Sequence, residues 1–84
     1  MTLDKIKTKD LPNTVGWRVR CIREFPVVQV GSEGSIAEFY KIGKGRCGVT
    51  VAWDRGGAKD GFGRDTNGSD DETKFLEVIG EPRV

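Results

Sequence analysis

The sequence predicts an all-β fold: four or five short strands in a small, strongly curved antiparallel sheet that closes as a barrel. Short β-type runs recur at Val15–Ile22, Val30–Ile36 and Gly48–Asp54. A tight Gly31-x-x-Gly34 turn and a longer glycine-rich connection join them. No stretch carries the sustained 3.6-residue apolar period of a long amphipathic helix. With 84 residues, 36% of them hydrophobic, the chain makes one domain near the lower limit of what a single core stabilises.

Residues 1–14 read as a mobile N-terminal arm, open to a short helical turn or an extended edge segment. Lys5, Lys7 and Lys9 alternate, Leu3, Ile6 and Leu11 are too sparse for a sustained stripe, and Pro12-Asn13 ends any local structure. The barrel domain is expected over residues 15–80, followed by a tail at 81–84. Its first strand, Gly16–Phe25, sets Trp17, Val19 and Cys21 on one face and Arg18 and Arg20 on the other. Pro26 suits the end of that strand. Val27–Val30 leads into the Gly31–Gly34 turn, whose glycines accept positive φ without steric cost.

The second strand is expected over Ser35–Ile42. Its imperfect alternation, with Ile36 and Tyr40 set against Ala37 and Phe39, points to a bulge. Gly43–Arg46 reads as a hairpin connection. The third strand is the clearest, because Val49, Val51 and Trp53 alternate with Thr50, Ala52 and Asp54. Arg55–Asp71 then holds five glycines, four aspartates and one large apolar residue, Phe62. It reads as a long mobile loop with room for a short strand at Phe62–Arg64. Asp70–Thr73 can cap a helical turn, and Lys74–Ile79 is the closing strand. The expected core is Trp17, Val19, Cys21, Ile36, Val49, Val51, Trp53, Phe75, Leu76 and one of Val78 and Ile79.

Three blocks, the Gly16-x-x-Val19 opening, the Gly31-x-x-Gly34-x-Ile36 turn and the Val51-x-Trp53-Asp54 strand, together resemble SH3-like barrels. In detail they are similar to small bacterial and phage domains of unknown function with this signature. They also resemble Mind-bomb-type barrel repeats and, further off, KOW-type barrels. The resemblance spans about residues 15–79 and implies a five-stranded barrel with a non-catalytic binding role. The acidic, glycine-rich stretch at 55–71 departs from the short connection usual there.

Few groups suited to catalysis stand out. There is no histidine, hence no Ser-His-Asp or Cys-His arrangement. Cys21 and Cys47 are expected as reduced, buried thiols; a disulfide, which needs Cα atoms within about 7 Å, is the alternative. Two lone cysteines cannot complete a zinc site. Gly43-Lys-Gly-Arg-Cys-Gly48 matches a dinucleotide fingerprint in letters, but it precedes a strand instead of opening a helix. Asp65–Glu72 has oxygen ligands at suggestive intervals, yet Asp70 stands where a calcium loop needs glycine. No metal site and no cofactor are expected. Type II dihydrofolate reductases offer an enzymatic precedent on a similar barrel, on fold analogy alone.

Fourteen Lys/Arg against thirteen Asp/Glu leave a net charge of +1. Residues 1–48 are nevertheless net positive and residues 49–84 net negative. Arg18 and Arg20, joined by Arg23, make a cationic strand face; Lys41, Lys44 and Arg46 surround the hairpin, with Phe39 and Tyr40 interleaved. The candidate ligand-binding residues are therefore Arg18, Arg20, Tyr40, Lys44 and Arg46. The expected partner is a protein or peptide, with nucleic acid as the alternative. Trp17 and Trp53 are expected in the core, or else one of them lines an aromatic peptide groove. No apolar run is long enough to cross a membrane. A cytoplasmic protein, monomeric or homodimeric, is the default.

Overall fold

The computed structural model describes residues 1–23, 28–65 and 70–80. It is mostly β. Strands β1 (Arg18–Cys21), β2 (Glu33–Lys41), β3 (Arg46–Trp53), β4 (Lys59–Asp65) and β5 (Leu76–Gly80) form one antiparallel sheet in the order β4-β3-β2-β1-β5. Three short 3-10 helices accompany it, at Leu3–Lys5, Thr8–Thr14 and Glu72–Phe75.

Alternation along the strands divides the sheet into two faces. Val19, Cys21, Ile36, Val49, Val51, Trp53, Phe62 and Leu76 point into the core, as does Cys47. Strand β1 ends at Cys21, earlier than expected; the strand end expected at Phe25-Pro26 lies outside the described residues. Strand β2 holds the bulge expected of it: its register against β3 shifts between Ile36 and Glu38. The shift has a packing consequence. Ile36 lies opposite Val51 and Phe39 opposite Val49, so two residues an odd number apart both reach the core side. Phe39 thus shares a face with Ile36 and not with Ala37. Trp17, Phe75 and Val78 pack against the core from its margin, whereas Ile79 points outward.

Gly31 adopts φ +93° in the connection before β2, as a turn glycine should. Gly34 has a different job from the one its spacing suggested. It is a buried β2 residue opposite Val19 and Trp53, and a Cβ there would fall onto the Ala52 carbonyl oxygen. Its bare backbone permits close strand approach.

Residues 1–14, expected as a mobile arm, are packed in place. Leu3 and Leu11 are fully buried in the core and Ile6 lies against it. The segment forms 3-10 turns, in which residues three apart eclipse. Leu3 with Ile6, and Leu11 with Thr14, therefore share faces although they follow no α-helical stripe. Thr14 Oγ1 donates to the Leu11 carbonyl at 2.6 Å, which satisfies a hydroxyl that is buried with it.

The long loop expected over 55–71 is also corrected. Asp54–Gly57 makes a tight turn, with Gly56 at φ +78° and Gly57 at φ +66°, and β4 pairs with β3 from Ala52↔Lys59 to Arg46↔Asp65. Asp60, Phe62 and Arg64 alternate inward while Gly61 and Gly63 face outward. Arg64 is buried and Asp60 half-buried, and each has partners. Trp53 Nε1 donates to Asp60 Oδ2 at 2.7 Å, and Arg64 joins the cluster described below. Residues 66–69, within the Asp65–Glu72 segment, lie outside the described residues, as does the tail at 81–84.

Strand pairing does not close the sheet as a barrel, because β4 and β5 are its two edges. The space between them is spanned by short bridges, Arg64↔Asp71 beside β4 and Thr2↔Glu77 beside β5. Between these bridges lies the third 3-10 helix, capped by the Asp71 side chain accepting from the Thr73 N–H. The capping expected near Asp70–Thr73 is thus present, one turn before β5.

Candidate functional site

All five candidate residues lie on the outer face of the sheet or at its hairpin; Tyr40, expected on the Ile36 face, is turned outward opposite Gly48 by the β2 bulge. The structure separates them into two groups. Arg18 and Arg20 project from β1, but neither is free. Arg18 donates to Ser35 Oγ and Asp54 Oδ1, both at 2.8 Å, and its second terminal nitrogen binds Asp54 Oδ2; Glu33 is 4.0 Å away. Arg20 donates to Glu77 Oε1 at 2.7 Å across the β1–β5 pair. The hydrogen bonds from these guanidinium groups hold the Asp54 and Glu77 carboxyls below their usual range, and both arginines are pushed up in return. With Glu38 also on this face, the expected cationic surface is a mixed one.

Tyr40 and Arg46 flank the β2–β3 connection, in which Lys44 sits between Gly43 at φ +58° and Gly45 at φ +83°. Lys44 and Arg46 are exposed. Tyr40 lies across a trough made by three glycines. A Cβ on Gly48 would come within 2.6 Å of the Tyr40 ring, and Gly61 and Gly63 lie beneath its hydroxyl. An aromatic ring laid over cross-strand glycines recovers packing those positions lack. Burial raises the Tyr40 phenol pKa, with nearby Glu72 adding to the effect. Its first role is therefore to cover the sheet.

A groove of about 720 Å³ opens at the other end of the sheet, between Val28–Glu33 and the β3–β4 turn. The sequence does not single out this place, although Trp53 was a candidate for an aromatic groove. Trp53 is 7% exposed and does both jobs: it packs edge-to-face on Phe62, centroids 6.0 Å apart, and it lines the groove. Val28 and Ala58 add apolar wall, and Val30 projects with 60% of its surface exposed. Glu33, Asp54 and Asp60 supply carboxylates and Arg55 a guanidinium. Residues distant in sequence build the groove, so no local pattern announces it.

Arg64 is the residue that sequence reasoning missed most completely. At 5% exposure it donates through Nε to Asp71 Oδ2 at 3.1 Å. Its Nη1 reaches the Ile6 carbonyl at 2.6 Å and Thr8 Oγ1 at 3.4 Å, and its Nη2 the Leu3 carbonyl at 3.2 Å and Thr73 Oγ1 at 2.8 Å. One planar fork thus ties the N-terminal turns, β4 and the third 3-10 helix together. Only the inward phase of Phe62 hinted that Arg64 also points in.

Cys21 and Cys47 are buried free thiols, which agrees with the reduced reading; burial pushes both pKa values up, the reverse of an activated nucleophile. Among the described residues no group of three or more Cys, Asp or Glu side chains is placed to hold a metal ion. No helix among them is long and apolar enough to cross a membrane. Comparison with protein-family models, with curated proteins and with solved structures finds no match for this chain.

Proposed function

We propose that this chain is a non-catalytic binding module of the SH3-like barrel kind, and that the groove beside Trp53 receives a protein or peptide segment. The observation that carries this reading is the groove itself, whose lining combines a tryptophan held by its indole hydrogen bond, aliphatic side chains and a few charged groups. Ligand sites commonly combine these features in this size range. The barrel reading draws support from the way the edges of β4 and β5 are bridged through the third 3-10 helix, the N-terminal turns and Arg64. A cytoplasmic setting fits the two free thiols.

Nucleic acid is the less favoured ligand, because Arg18 and Arg20 are already paired with Asp54 and Glu77. The exposed Lys44 and Arg46 beside Tyr40 are what remains of that interface. The readings separate in one titration of ¹⁵N-labelled protein, using a mixed pool of capped hexapeptides and, separately, a thymidine oligonucleotide. Peptide should move the Trp53 indole N–H and the amides of residues 28–33. Perturbation of Tyr40, Lys44 and Arg46 by the oligonucleotide, with the groove silent to peptide, would overturn the proposal.

A further inference from the structure

We infer that the groove selects a cationic, extended peptide segment, one that sets a lysine or arginine next to an aliphatic side chain. This rests on the peptide-binding reading above and narrows it to a chemical class. Two features of the lining decide the class, one apolar and one charged.

The apolar feature is the contrast between Val28 and Val30. Val28 is buried into the core while Val30 stands out beside the groove with most of its surface in water. Together with Ala58 and Trp53 it offers a patch that an aliphatic side chain can cover. Burying such area is favourable in proportion to what is removed from water.

The charged feature is an imbalance among the carboxylates. Of Glu33, Asp54 and Asp60, only Asp54 has both oxygens engaged by a guanidinium, that of Arg18. Glu33 stays 4.0 Å from Arg18, at the limit of an ion pair, with 45% of its side chain exposed. Asp60 is held by a neutral donor: the Trp53 indole fixes Oδ2 at 2.7 Å without cancelling its charge. A carboxylate fixed beside an apolar lining is a ready partner for a cation, because its position is settled before the ligand arrives. Arg55 is the one cation among the described lining residues, and it sits on the exposed turn. The surplus is negative, so phosphate and acidic peptides are repelled while a lysine or arginine is drawn in.

The test uses three capped hexapeptides, alternating valine with lysine, with glutamate and with serine, each titrated into the ¹⁵N-labelled full chain. The expected result is that the lysine peptide moves the Trp53 indole N–H and the amides of residues 28–33, and that its affinity falls with added salt. The double variant Glu33→Gln, Asp60→Asn keeps shape, and the amide oxygen it introduces at position 60 can still accept from the Trp53 indole. It should weaken the lysine peptide by about 5-fold, the scale of two partly exposed charge pairs. It should leave the serine peptide unchanged. Equal or tighter groove binding of the serine or glutamate peptide would overturn the cationic class while leaving the peptide-binding reading standing. Silence of the groove toward all three would overturn both. An unchanged Trp53 emission and urea midpoint in the variant establish that it is folded, and loss of fold moves the test to the single Glu33→Gln variant with the same expected direction.

Discussion

Arg64→Met is the most informative perturbation of this fold. Methionine keeps a long unbranched stem in the same space but removes every donor. The structure then leaves the Leu3 and Ile6 carbonyls, Thr73 Oγ1 and the Asp71 carboxylate without the guanidinium that now serves them. Hydrogen bonds to a charged group contribute about 1.5–3 kcal/mol each when considered singly. They are not additive, since water and local relaxation recover part of the loss. Breaking a buried charge pair from one side costs about 3–5 kcal/mol, and that is the expected magnitude. A chain of 84 residues has a total stability of only about 4–13 kcal/mol on the usual per-residue scale. The variant should therefore sit near the edge of folding.

Urea unfolding followed by tryptophan emission reads the loss as a lower midpoint at similar slope. Arg64→Lys gives an intermediate case, because three donors on a point charge cannot reproduce a planar fork that serves five partners. In that variant hydrogen exchange should show where the damage begins. The Ile6 amide, bonded to Leu3 at 3.0 Å, should lose protection before the central strands β2 and β3 do. A cost below about 1 kcal/mol for Arg64→Met, with Ile6 protection intact, would refute the clamp.

Three further outcomes are expected. Gly48→Ala should cost more than Gly31→Ala: at Gly48 the new Cβ meets the Phe62 carbonyl oxygen at 2.5 Å, an overpacking worth about 2–3 kcal/mol, whereas at Gly31 only the positive φ opposes it, at about 1–2 kcal/mol. Matched urea midpoints for the two variants would show that the close approach is relieved cheaply. Because the Asp54 and Glu77 pKa values are lowered, their contribution to stability is present above the ordinary carboxylate values of 3.8 and 4.5 and is lost as pH falls through the lower folded values. Acidification through that window should lower the urea midpoint, and Asp54→Asn with Glu77→Gln should flatten the dependence. Finally, Cys21 and Cys47 should resist a thiol reagent in the native protein and react at once in denaturant, since both are buried with raised pKa values; fast native-state labelling would contradict their placement.

Alternation made much of the sheet legible from the chain. Val19 with Cys21, and Val49 with Val51 and Trp53, have no other way to share a face. The bulge in β2 showed as a break in that period, and the turn glycines Gly31, Gly43 and Gly45 showed by type. What failed to show has physical reasons. β4 carries a single large apolar residue among glycines and charges, so composition reads it as loop; its inward polar residues are stable only through partners elsewhere, Trp53 for Asp60 and the N-terminal turns for Arg64. Leu3 with Ile6, and Leu11 with Thr14, follow a three-residue spacing that a search for α-helical stripes passes over. Arg18 and Arg20 were placed correctly on the outer face, but their partners come from β3's end and from β5, and only folding brings those carboxylates to them.

Local sequence by itself thus determined which residues extend, which turn, and which side of each strand is apolar, because those properties depend on backbone sterics and a period of two. The tertiary structure alone decided which charges are neutralised, which polar groups can be buried, and where a groove opens. Each of those depends on distances between residues far apart in the chain, and such distances exist only once the sheet has formed.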